Sequence, residues 1–193
     1  MQRIILLFIL INISHSFSEQ NLNQDFHYAV KKGEIEKVIE FLRSEVDVNS
    51  KDKDGNTALI NAVEDSNLNM VKILLQNGAD VNISNKDGET ALMCSSFWGY
   101  KEITEFLIQN KADVNAKNND GETALMIATN FNNINIVEIL LKQNVEVNSQ
   151  DVQGYTALMY AIEGYNKEIL ELLINNKADL NIKDFQGNTA LIK

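Results

Sequence analysis

The amino-acid sequence predicts an all-α repeat solenoid built from stacked helix–turn–helix units with connecting β-hairpin loops, and three observations carry that prediction. Glycines fall at Gly55, Gly88, Gly121, Gly154 and Gly187, each 33 residues after the last. The same step relates Thr57, Thr90, Thr123, Thr156 and Thr189, each followed by Ala-Leu, and it relates Asn49, Asn82, Asn115, Asn148 and Asn181. Coincident ladders of one fixed period mark a repeat architecture.

Each element of the unit follows from local chemistry. Thr123 to Thr129 reads as a short helix whose first threonine caps the opening turn by accepting a backbone N–H bond. Ile134, Val137, Ile139, Leu140 and Leu141 recur at helical spacing and define a second helix, with Glu138 and Lys142 four apart for a surface pair. Asn148 marks the turn after it, and Asn119-Asp120-Gly121 shows the Asp-Gly chemistry of a tight reversal. Helices shorter than about 12 to 15 residues are marginal alone, so each unit must bury its apolar side on its neighbours.

Asp-x-x-Gly-x-Thr-Ala-Leu, then Ile-Val-x-x-Leu-Leu, then Gly-Ala-Asp-Val-Asn at this period resembles the ankyrin repeat, over roughly residues 20 to 193. Asp52 to Leu59 with Met70-Val71 and Gly78 to Asn82 is the closest copy. The reading divides the chain into a signal peptide at 1–18 and a degenerate first repeat at 19–50. Repeats follow at 51–83, 84–116, 117–149 and 150–182, with a truncated one at 183–193. Lys31, Lys32, Glu34, Glu36, Lys37 and Glu40 suit the polar outer face of a terminal repeat.

Departures from the family pattern carry expectations of their own. Where the family commonly reads Thr-Pro-Leu-His, alanine replaces the proline, and Ile60, Met93, Met126, Met159 or Ile192 replaces the histidine. Apolar contact is expected there instead of a hydroxyl–imidazole bond. After the second helix Gly78 keeps the family's glycine, whereas Lys111, Asn144 and Lys177 do not. Asparagine tolerates positive φ better than lysine, and these junctions are expected to be weaker than the first. The chain ends one turn into a further unit, consistent with a fragment or with an edge left open for a neighbour.

Arg3, the apolar run Ile4 to Ile11 and the small residues Ser14, Ser16 and Ser18 form a signal-peptide pattern, with cleavage expected near Ser18. The run is shorter than the roughly 20 residues of a membrane span, so stable insertion after cleavage is not expected. The product is expected to be exported, periplasmic or secreted according to its host. Asn82-Ile83-Ser84 is a glycosylation sequon in a eukaryotic host and otherwise the repeat's turn asparagine.

At 193 residues and 21.7 kDa the chain fits one ordinary domain. Seventeen basic against 27 acidic residues give a net charge of −10, which disfavours nucleic acid and anionic membranes. Cys94 alone closes no internal disulfide, and His15 and His27 with it supply no multi-ligand metal site. Cys94-Ser95-Ser96 reads as small-residue packing, and His27 as a packing or solvent-facing residue of the first repeat. Asp52-Lys53-Asp54-Gly55 brushes a calcium-loop pattern, but Ser50 and Asn61 stand where carboxylates are needed. No cofactor and no catalysis are expected.

The resemblance implies a binding module that presents hairpin tips and first helices as a concave surface. Positions that vary while the framework repeats are free to be chosen by a partner. From them we select Asp65, Glu89, Phe97, Trp98, Glu122, Phe131, Val152, Tyr155 and Phe185 as partner-binding candidates. Aromatics fall on the middle and later units, and the earlier units offer mainly acids. The expected partner is a protein or peptide, basic with an apolar anchor, bound by a monomer. The alternative is a scaffold or tether within a longer array. Phe97 and Trp98 are adjacent on a helix, so a competing expectation turns them inward between repeats.

Overall fold

The structure is a computed structural model that describes residues 22–44 and 46–192. The signal-peptide reading lies outside the described residues. Ten helices are present among them. The described residues fall into two compact units, divided between Ala79 and Asp80.

The first unit holds α1 (residues 22–31), α2 (Ile35–Leu42), α3 (Ala58–Glu64) and α4 (Leu68–Gln76). Phe26 of α1 meets Phe41 of α2 edge to face at 6.1 Å, and Phe26, Val38, Leu59, Ile60, Met70 and Leu74 are all shut away from water. The second unit holds α5 (Ala91–Trp98), α6 (Lys101–Gln109), α7 (Ala124–Asn130), α8 (Ile134–Leu141), α9 (Ala157–Glu163) and α10 (Lys167–Asn175). In it α7 packs between α5 and α9 while α8 packs between α6 and α10, giving two helical layers. The positions where the family places histidine are core, since Ile60, Met93, Met126 and Met159 are at most 1% exposed.

The threonine ladder is a ladder of helix caps. Thr57, Thr90, Thr123 and Thr156 hold extended backbone, and their Oγ1 atoms accept from the N–H groups of Ile60, Met93, Met126 and Met159 at 3.2 to 3.4 Å. Between the helices of each pair, Gly33, Ser66, Gly99, Asn132 and Tyr165 all have positive φ, a further 33-residue ladder whose residue types gave no sign of it.

The hairpins are organised by Asp52, Asn85, Asn118, Asp151 and Asp184. In each, Oδ1 accepts the N–H groups two and four residues on, as Asn118 does from Asp120 at 3.0 Å and Glu122 at 2.8 Å. Within the second unit each tip is tied to the one before it. Asn119, Val152 and Phe185 donate N–H to the carbonyls of Asp87, Asp120 and Gln153 at 2.9, 2.9 and 3.1 Å. A Cβ on Gly154 would come within 2.7 Å of the Phe185 nitrogen, so this glycine is required by close approach as well as by its φ of +82°. Isolated antiparallel bridges join Lys51 to Thr57 and Lys183 to Thr189 at the hairpin bases.

The asparagine ladder clamps successive repeats. Asn82, Asn115 and Asn148 accept at Oδ1 from the N–H groups of Asp113, Glu146 and Asp179, each at 2.8 Å. Their Nδ2 atoms donate to the carbonyls of Lys111, Asn144 and Lys177 at 3.1 to 3.3 Å. The amide of the sequon asparagine is thereby engaged in the inter-repeat clamp.

The junctions after the second helices differ among themselves, and one expected surface pair is corrected. Lys111 and Lys177 adopt φ of +68° and +67°, whereas Asn144 has no positive φ. The lysine turns are closed by the N–H groups of Ala112 and Ala178 on the carbonyls of Leu107 and Leu173, both at 3.0 Å, while the helix before Asn144 ends earlier, at Leu141. Among the described residues Glu138 and Lys142 are not joined by an ion pair, whereas Lys167 and Glu171, four apart on α10, lie 3.6 Å from each other.

Candidate partner-binding surface

An aromatic cluster on the second unit is built by two helix ends. Phe97 and Trp98 are the last residues of α5, which Gly99 terminates at φ +73°, and Phe131 caps the C-terminus of α7. The ring of Phe97 lies 4.2 Å from that of Phe131 and 4.8 Å from that of Trp98, and Trp98 stacks on Tyr100 at 6.4 Å and 16° between planes. Asn133 pins the arrangement by donating Nδ2 to the carbonyls of Ser96 and Phe97, both at 2.8 Å. A Cβ on Gly99 would fall 2.6 Å from Asn133 Oδ1, so close approach as well as backbone conformation selects glycine there.

Phe97, Trp98 and Phe131 are 37%, 54% and 48% exposed. The two adjacent aromatics therefore share the surface, against the expectation that neighbours on a helix diverge inward. The physical reason is their place in the final turn. The interior of α5 is filled by Leu92, Met93, Cys94, Ser95 and Ser96 instead, with Ser95 and Ser96 donating hydroxyls to the Leu92 carbonyl and Thr104 donating to Ser95 Oγ at 2.9 Å. Cys94 is buried in this packing.

The other candidates have different surroundings. Val152 and Phe185 stand out at hairpin tips. Tyr155 is half-buried, its ring 5.4 Å from that of Tyr160 and its hydroxyl donating to Glu163 Oε1 at 2.8 Å. Glu122 accepts from Asn118 Nδ2 at 2.9 Å and lies 3.4 Å from the Tyr160 hydroxyl oxygen, and Glu89 accepts from Asn85 Nδ2 at 2.9 Å. These two carboxylates brace their own hairpins. Tyr160 donates to Asp151 Oδ2 at 2.7 Å, and burial together with the Asp151 and Glu122 carboxylates raises the phenol well above its usual range. Asp65, on the first unit, is exposed at the C-terminus of α3. Tyr100 and the strongly exposed Tyr165 escaped the sequence reading because aromatics there break no repeated pattern.

The first unit contains a polar cluster that the sequence did not reveal. His27 is buried, with Nε2 3.1 Å from the Ser50 carbonyl and Nδ1 accepting from Asn61 Nδ2 at 3.2 Å. Asn61 Nδ2 also donates to Asp52 Oδ2 at 3.1 Å, which Lys31 Nζ meets at 2.9 Å. Burial lowers the His27 pKa and is only partly offset by the Asp52 charge. Burial alone would raise Asp52, but donors from Lys31, Asn61 and Asn56 outweigh it and hold the carboxyl at about 2. The signal of its burial is that His27 falls one 33-residue period before the buried Ile60.

The family described as "Ankyrin repeats (3 copies)" matches residues 26–118 and 112–184. The chain belongs to the ankyrin-repeat family. The search of curated proteins found no match for it. Ankyrin repeats form a non-enzymatic interaction fold, so the chain carries a protein–protein interaction module. No helix among the described residues is long and apolar enough to cross a membrane.

Proposed function

We propose that this ankyrin-repeat chain is an exported, non-enzymatic adaptor that captures a protein or peptide by seating an apolar anchor on the Phe97–Trp98–Phe131 cluster. The observation that carries the reading is an aromatic cluster left open to water, Phe97 packed against both Trp98 and Phe131, since such rings lose accessible area at little entropic cost when a partner covers them. The net charge of −10 favours basic residues around the anchor and speeds their encounter. Residues 1–18 support export, and the adaptor acts as a monomer.

Trp98 is the single tryptophan and reports directly on the site. Titration with a lysine-rich peptide carrying a central leucine or phenylalanine is expected to shift its emission saturably, and a charge-matched peptide with alanine at the centre is expected to leave it unchanged. Triple substitution of Phe97, Trp98 and Phe131 by Ala, read by calorimetry, is expected to abolish binding at unchanged melting temperature. Lost stability with binding intact would sink the reading. Mass spectrometry of the chain from its own host tests export: a mature start near Glu19 supports it, and an intact Met1 refutes it. Sedimentation of the purified chain tests the monomer.

A further inference from the structure

One side-chain amide joins three elements of the first unit. Asn61, on α3, is 1% exposed, and its Nδ2 donates both to His27 Nδ1 of α1 at 3.2 Å and to Asp52 Oδ2 of the hairpin 51–57 at 3.1 Å. The carboxylate fixes which way the amide faces, because an Oδ1 turned towards Asp52 would set two acceptors against each other. The other end of the amide has no such support. Asn61 Oδ1 is buried and meets no hydrogen-bond donor among the described residues, an unfavourable arrangement that persists because Nδ2 serves two acceptors at once. The amide in turn fixes the protonation of His27. Nδ2 can only donate, so Nδ1 holds a lone pair, and the ring proton sits on Nε2, which donates to the Ser50 carbonyl at 3.1 Å and has Ser50 Oγ at 3.3 Å.

We propose that Asn61 is a proton-operated amide switch that ties the first hairpin to α3 while His27 is neutral and releases it in acid. When Nδ1 of His27 takes up a proton, Nδ1–H and Nδ2–H face each other, and a half-turn of the amide about Cβ–Cγ brings Oδ1 round to accept from the imidazolium. The same turn sets an oxygen against Asp52 Oδ2. The carboxylate, still held by Lys31 Nζ and by the N–H groups of Asp54 and Asn56, then loses its bond to α3. The charges that act on the ring are Asp52 on the hairpin, which favours the imidazolium, and Lys31 on α1, which opposes it. Asp54 on the hairpin and Glu64 on α3 act on Lys31, Lys51 and Lys53 line the same cavity as His27, and α2 meets α1 through the uncharged contact of Phe41 with Phe26. Burial lowers the His27 pKa, so release begins below the ordinary 6.5, and the Asp52 carboxyl, held at about 2, stays ionised throughout.

The test follows the full chain by NMR from about pH 8 to about pH 4.5, reading the His27 ring nitrogens, the Asn61 side-chain amide and backbone amide exchange. The Asn61 Nδ2 resonances are expected to move with the His27 midpoint, below 6.5. Protection of the Asp54 and Asn56 amides, which donate to Asp52, is expected to fall about tenfold relative to the Asp120 and Glu122 amides. The latter pair donates to Asn118, which does not titrate, and so corrects for the effect of pH on exchange itself. His27→Gln is expected to hold both readouts constant over the same range. Asn61→Ala is expected to raise the His27 midpoint towards 6.5, since it removes a donor that favours the neutral ring. A ring that stays neutral to the end of the range, an Asn61 amide that stays fixed while His27 titrates, a constant protection ratio, or the same response in His27→Gln would each overturn the proposal.

Discussion

His27 and Asp52 give the first unit a pH dependence whose sign follows from their folded environments. The folded pKa of His27 lies below its ordinary 6.5, so the unfolded chain takes up that proton first as pH falls. Its contribution to stability is complete above about 6.5 and declines as pH drops through 6.5 towards the folded value. Asp52, at about 2 when folded against 3.8 ordinarily, contributes fully above 3.8 and loses that contribution as pH falls from 3.8 to 2. Thermal melts of the full chain between about pH 2 and 8 are expected to show two steps, and His27→Gln to remove the upper one while keeping the lower. At the junctions after the second helices, Lys111 and Lys177 hold left-handed backbone that suits glycine better. Lys111→Gly and Lys177→Gly are each expected to raise stability by up to about 1 kcal/mol in urea unfolding, the relief of strain exceeding the added chain entropy.

Helices of seven to nine residues persist here because side-chain caps close the first turn of α3, α4, α5, α7, α9 and α10 and because each helix buries one face. The cap threonines and the asparagine clamps were legible from the 33-residue ladders, since a hydroxyl or amide repeated without drift must be meeting the same backbone group in each copy. Thr123→Ala is expected to cost about 1 kcal/mol by denaturant midpoint. Asn115→Ala removes both the acceptor for Glu146 N–H and the donor to the Asn144 carbonyl, and is expected to cost about 1 to 3 kcal/mol, with amide exchange accelerating at Glu146. The αL ladder of Gly33, Ser66, Gly99, Asn132 and Tyr165 stayed hidden, because four residue types share one backbone conformation enforced by the helix pair around them.

Across the molecule, excess negative charge opposes compactness and attracts basic partners, and salt screens both effects. Raising sodium chloride from 20 to 200 mM is therefore expected to raise the melting temperature while slowing association with the basic peptide in stopped flow, roughly tenfold or less.

The sequence by itself determined the repeat, its helix–turn–helix unit, the capping threonines and the clamp asparagines, because each depends on spacing and on hydrogen bonds to nearby or period-related backbone. Tertiary structure alone decided that Phe97 and Trp98 share an exposed cluster with Phe131, that Glu89 and Glu122 brace hairpins, and that Asn61 joins His27 to Asp52. Those outcomes depend on where a helix ends and which residue of the next copy it meets. A 33-residue period places equivalent backbones side by side, but the direction of each variable side chain is settled only by the packing around it.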